Sequence, residues 1–116
     1  PKPTVAAING VAAGAGVGLA LSCDIAVAAR SSSFVLTFGP QLGLVPDLGV
    51  TWFLPRAIGR ARARALALLG DKLPAEKAAE WGLVWTCVDD GECLPTARAL
   101  ATRLGRGSAE AFFEIR

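Results

Sequence analysis

The chain has 116 residues, enough for one modest domain, and its net charge of +2 is too small to point to nucleic acid. It has no histidine and no tyrosine, which removes Ser-His-Asp and Cys-His nucleophilic machinery and the usual zinc constellations. The three cysteines, Cys23, Cys87 and Cys93, form no C-x-x-C pair and fit a reducing compartment better than a disulfide framework.

Thr4 to Ile8 is a short apolar run ended by Asn9-Gly10 and reads as a buried strand followed by a turn. A glycine-rich loop, Gly10 to Gly16, feeds a small-residue apolar segment, Val17 to Cys23, expected as a buried helix with Cys23 in the core. Ile25 to Ala29 reads as a second buried strand. Strand, glycine turn, helix and strand together suggest a βαβ unit in a largely parallel sheet. Ser31 to Ser33 form a loop, Phe34 to Phe38 a short strand, and Gly39 to Asp47 a loop punctuated by Pro40 and Pro46. Helices are expected over Gly49 to Ile58, over Gly59 to Leu69 with Gly70 as the stop, and over Pro74 to Trp81 closed by Gly82. Leu83 to Val88 reads as a strand, Leu94 to Leu104 and the segment from Ser108 onward as helices. The fold class is therefore α/β, with mostly parallel buried strands and flanking helices.

Hydrophobic residues make up 53% of the chain and its mean hydropathy is +0.45. A domain of this size hides only ~60–70% of its unfolded surface. So much apolar material, a first residue that is Pro1 and a helix still running at Arg116 read as the central part of a larger domain. Residues 1–116 are thus taken as a single partial domain. The apolar stretch Gly10 to Cys23 is 14 residues, short of the ~20 needed to cross a bilayer, and no basic leader precedes it, so a soluble protein is expected.

With imidazole absent, proton transfer falls to carboxylates. Glu76, Glu80, Asp89, Asp90, Glu92, Glu110 and Glu114 lie in charged, helical or loop contexts that read as solvated, and Asp71 sits in a post-helix turn. Asp24, between the buried helix and the next strand, is placed to accept from backbone N–H groups. Asp47 lies in apolar, irregular surroundings just ahead of a helix, where functional groups concentrate. It reads equally as a general acid–base and as the N-cap of the Gly49 helix. The glycine-rich loop also has two readings. Its backbone N–H groups suit an oxyanion, or its small residues permit close helix–strand packing. Gly14-Ala15-Gly16-Val17-Gly18 matches a dinucleotide fingerprint poorly: the third glycine comes one position early, and the next strand ends in Arg30 rather than an acid. The cluster Arg56, Arg60, Arg62, Arg64 reads as a solvated helix face, with contact to ligand phosphates or a neighbouring subunit as the alternative.

The run from Lys2 through Gly16 (KPTVAAINGVAAGAG), continued by Leu19-Ala20-Leu21-Ser22-Cys23-Asp24, closely resembles the signature of the crotonase (enoyl-CoA hydratase/isomerase) superfamily. So do Gly43-Leu44-Val45-Pro46-Asp47-Leu48-Gly49-Val50-Thr51-Trp52 with Leu54-Pro55-Arg56, and Ala78-Ala79-Glu80-Trp81-Gly82-Leu83-Val84. The resemblance implies a spiral of ββα units, assembly as trimers or hexamers, a cytoplasmic location and an acyl-CoA thioester as substrate. No metal or redox cofactor is implied, CoA entering as part of the substrate. Two backbone N–H groups would stabilise an enolate. One is that of Ala15, where the family usually has glycine, and the other belongs to a segment upstream of Pro1. Gly14, Gly16, Gly18, Phe38 and Pro46 are the implied substrate contacts.

The hydratases place glutamates at the positions of Gly18 and of Phe38 or Gly39, so water addition to an enoyl-CoA is not implied here. An acid at the Asp47 position resembles two branches. One contains the ring-epoxide isomerases of phenylacetyl-CoA breakdown and related enoyl-CoA isomerases, and the other the 4-chlorobenzoyl-CoA dehalogenases. Val45-Pro46-Asp47-x-Gly49-x-Thr51-Trp52 and Trp81 to Asp90 look more like the first. The expected activity is double-bond or ring-epoxide isomerisation by proton transfer through Asp47. The rivals are a dehalogenase-like enzyme with Asp47 as nucleophile, and an inactive fragment that only folds or associates.

Overall fold

The computed structural model describes residues 2–116. Its strands are β1 (Val5–Ile8), β2 (Val11–Ala13), β3 (Ile25–Ala29), β4 (Ser33–Val35), β5 (Leu73–Pro74) and β6 (Thr86–Val88). Its helices are α1 (Ala15–Leu21), α2 (Phe38–Leu42), α3 (Val50–Ile58), α4 (Arg60–Leu69), α5 (Ala75–Glu80), α6 (Cys93–Gly105) and α7 (Ala109–Ile115), with a 3-10 turn at Asp90–Glu92.

The strands form two three-stranded sheets. The first, in order β1-β3-β6, is entirely parallel, with Val5 opposite Ile25 and Val27 opposite Thr86. The second runs β2-β4-β5, with β2 and β4 parallel and β5 antiparallel to β4. Consecutive strands β1 and β2, and again β3 and β4, thus go to different sheets, and each pair is followed by a helix. This is the repeating ββα arrangement.

Strand β3 explains why its sequence is apolar throughout. Ala26 and Ala28 face the main core with Ile8, Val17, Phe34, Leu36, Val50, Leu54 and Ile58, while Val27 and Ala29 face a second cluster with Cys93 and Ala97. A parallel strand covered on both faces has no side left for alternation with polar residues. Cys93 is fully buried, and its thiol donates to the carbonyls of Ile8 and Val27 at 3.5 and 3.7 Å. Burial pushes this thiol's pKa up. In α3, Val50, Leu54 and Ile58 recur every four residues and form the buried stripe of an amphipathic helix.

Four expectations need correction. The loop Gly10 to Gly16 contains strand β2 and the start of α1, which begins at Ala15 rather than Val17. The strand expected over Phe34 to Phe38 stops at Val35, and Phe38 instead opens α2, which runs on to Leu42 through the stretch read as loop. The strand expected from Leu83 forms only over Thr86–Val88. Cys23 is half-buried rather than a core residue.

The corner after β3 is tied down by charge. Arg30 pairs with Glu76 of α5 and, at 3.0 Å, with Asp89 beyond β6, while Asp90 accepts from the Ser31 N–H at 3.0 Å. At the other end of β3, Asp24 accepts from the Thr4 N–H (2.7 Å), the Thr4 hydroxyl (3.0 Å) and Arg116 Nε (2.7 Å). Asp24 therefore has the structural role expected of it. Partial burial pushes its pKa up, but the Thr4 N–H, the Arg116 guanidinium and the Thr4 hydroxyl outweigh this, and the net result lies below the usual carboxylate value.

Candidate active site

The glycine-rich turn and the Asp47 loop meet through backbone. Gly14 stands at φ 54°, ψ −119°, a conformation that glycine adopts and other residues avoid. Its N–H donates to the Val35 carbonyl at 2.9 Å, and the Phe38 ring covers its Cα face. Ala15 is then the first residue of α1. Helix geometry leaves its N–H without an intrahelical acceptor, and no acceptor among the described residues takes it. Gly16 faces open space, whereas Gly18, expected among the substrate contacts, is buried and faces Leu48.

Asp47 lies between α2 and α3. Its carbonyl accepts from the Val50 N–H at 3.1 Å, leading the chain into α3. The helix cap itself is Gly49, in the left-handed conformation at φ 77°, with no side-chain cap hydrogen bond. The side-chain cap role considered for Asp47 is therefore overturned: a glycine turn starts the helix. The Asp47 carboxylate is exposed and makes no hydrogen bond or ion pair among the described residues. Around it, Leu44, Val45 and Leu48 are exposed apolar side chains, Val45 to 76%.

Leu48 has φ 48°, the one positive-φ residue other than glycine among those described. For leucine this left-handed conformation costs about 1–2 kcal/mol. Its backbone is pressed onto α1, and a Cβ built on Gly18 would lie 2.5 Å from the Leu48 carbonyl oxygen.

The structure thus brings Gly14 together with Phe38, and Gly18 with the residue after Asp47. Phe38 is buried in the core cluster. Pro46 lines a separate, open cavity of ≈ 340 Å³ between α3 and α4, floored by Val50, Leu54, Ala63 and Ala67 and rimmed by Arg60 and Arg64. Sequence reading missed this groove, because it forms only when two helices meet. The other two arginines of the cluster lie over indole rings, Arg56 on Trp52 at 3.2 Å and Arg62 on Trp81 at 4.7 Å. Among the described residues, no three of the Cys, Asp and Glu side chains gather into a group that could hold a metal ion. No helix there is long and apolar enough to cross a membrane.

The fold is an α/β spiral of ββα units in which the helix that starts at Ala15 packs, through Gly18, against the loop that carries Asp47. The profile of the enoyl-CoA hydratase/isomerase family matches residues 1–115, and the chain belongs to that family, within the crotonase superfamily. It is 59% identical over 104 residues to a 1,2-epoxyphenylacetyl-CoA isomerase from Escherichia coli (strain K12), a match covering 90% of this chain and 39% of that one. It is 47% identical over 116 residues to a probable enoyl-CoA hydratase from Rhodobacter capsulatus, covering 100% of this chain and 45% of that protein. The structure of Pseudomonas aeruginosa DspI superimposes with a TM-score of 0.93 at 38% identity, over 98% of this chain and 46% of the other. The chain therefore spans less than half the length of these relatives.

Proposed function

We propose that this chain carries the proton-transfer group and one oxyanion donor of an acyl-CoA isomerase, which shifts a double bond or isomerises a ring epoxide of a CoA thioester. The observation that supports this best is the free Asp47 carboxylate, on a loop whose backbone rests on the helix that begins with the unpaired Ala15 N–H. The 59% identity to a 1,2-epoxyphenylacetyl-CoA isomerase supports the same reading.

The thioester oxygen accepts from the Ala15 N–H and from a second donor outside residues 1–116. Negative charge developing on that oxygen is stabilised by donors that need not reorganise. Asp47 takes a proton from one carbon of the acyl group and returns it to another. An acyl group lying across the exposed Leu44, Val45 and Leu48 shields the proton transfer from water. The proton transfer is redox neutral and calls on no cofactor beyond the CoA of the substrate. Gly14 and Gly16 keep side chains away from the thioester. A cytoplasmic trimer or hexamer is the assembly proposed for the full-length protein.

The test follows isomerisation and exchange of substrate C–H protons in deuterated water by the intact protein and its Asp47→Asn variant. Both rates are expected to fall by about 10²–10⁴, the usual contribution of a general acid–base, while acyl-CoA binding survives. Equal rates would remove Asp47 from the chemistry. An aspartyl ester seen as a mass increase during turnover would instead make Asp47 a nucleophile.

A further inference from the structure

We infer that Gly18 and Leu48 form a backbone latch that positions Asp47, so that Gly18 acts in catalysis without touching substrate. The inference rests on the proton-transfer role proposed for Asp47. Gly18 lies within α1 and has no left-handed backbone to excuse it. Local helix propensity would favour alanine there. The reason for glycine is across the gap. An added Cβ would meet the Leu48 carbonyl oxygen at 2.5 Å, its Cβ at 2.8 Å and its carbonyl carbon at 3.1 Å.

Other crowded glycines differ in kind. Gly49 and Gly107 face the rings of Phe53 and Phe112, Gly70 meets Pro40 Cγ first, and the backbone carbonyls nearest to Gly70 and Gly39, of Leu36 and Ala67, stand off at 3.2 and 3.3 Å. Side chains can yield a little, whereas the Leu48 carbonyl belongs to the turn that sets Asp47. That turn has little slack. Leu48 is already in the left-handed region, the Val50 N–H binds the Asp47 carbonyl, and the Trp52 N–H binds the Gly49 carbonyl at 2.9 Å. A methyl group at position 18 displaces Leu48, and the neighbouring carboxylate moves with it.

The experiment is a double-mutant cycle in the intact protein, using Gly18→Ala, Asp47→Asn and the combination, with turnover and proton exchange measured at each corner. Gly18→Ala is expected to lower kcat by about 10²-fold, the effect of a misplacement near 1 Å, with KM changed less than about threefold. In the Asp47→Asn background the same substitution is expected to leave the residual exchange unchanged. Equal losses in both backgrounds, or a loss borne by KM, would make Gly18 a packing residue and overturn the latch. An Asp47→Asn variant as fast as the parent fails the catalytic reading itself, on a separate measurement.

Discussion

The two halves of the site are built by opposite means. The proposed oxyanion side, from Gly14 to Gly18, uses backbone held by buried strands. The proposed acid–base side, from Leu42 to Trp52, presents one carboxylate among exposed Leu42, Leu44, Val45, Leu48 and Trp52. On the first side the identity of a side chain matters little, because an N–H is common to every residue but proline. Alanine at position 15 therefore fits the proposed donor role. On the second side everything hangs on one functional group, and its placement depends on a turn pinned by a neighbouring helix. Tolerance to substitution should follow this division.

The sharpest way to break the comparison is to remove the Ala15 N–H itself. Ala15→Pro does so at the first turn of a helix, where proline is well tolerated. Turnover should fall by about 10²–10³, as when one oxyanion donor is lost, with the melting temperature nearly unchanged. A variant that turns over normally would show that Ala15 is no donor.

Support for the backbone side comes next. Val17, 1% exposed, anchors α1 on the core, and Val17→Ala should cost about 2 kcal/mol in denaturant unfolding. If activity per folded molecule is kept, the helix start stays in place without perfect packing beneath it.

The smallest effect concerns Asp24, which holds the chain before β1 to the start of β3. Its folded pKa lies below the unfolded value, so its contribution to stability is present above the unfolded carboxylate pKa of about 3.9. The contribution disappears as pH falls through the folded pKa. Asp24→Asn should lower stability at neutral pH by about 1.5 kcal/mol, the scale of a hydrogen bond to a charged group. The gap from the parent should close in acid. A gap that persists at low pH would assign the effect to packing rather than charge.

Much of the fold was legible because it is written in burial. The continuous apolar run of β3 and the four-residue spacing of Val50, Leu54 and Ile58 each announce their element. What escaped is short or glycine-laden. Strand β2 is three residues beside glycines, β5 is two, and α2 contains Gly39 and Pro40. Such segments adopt their conformation because neighbours pair with or cover them, and no local pattern records that. The same holds in the candidate site. Asp24 and Asp47 stood out as carboxylates in apolar context, and Asp24 binds backbone as expected. The left-handed Leu48, the Gly49 cap and the contact to Gly18 depend on where α1 and α3 come to rest, which only the folded chain specifies.

The all-parallel sheet also sets an order of assembly. Its β1–β3 pairing joins residues 20 apart, as in the Thr4–Asp24 hydrogen bond at its edge. Its β3–β6 pairing spans 59, as in the Arg30–Asp89 ion pair. Closing the longer loop costs about 1 kcal/mol more chain entropy. The glycine turn and α1, enclosed by the shorter pairing, should therefore acquire protection from hydrogen exchange early in refolding, and β6 should follow. The N–H proposed as an oxyanion donor is then in position before the sheet is complete.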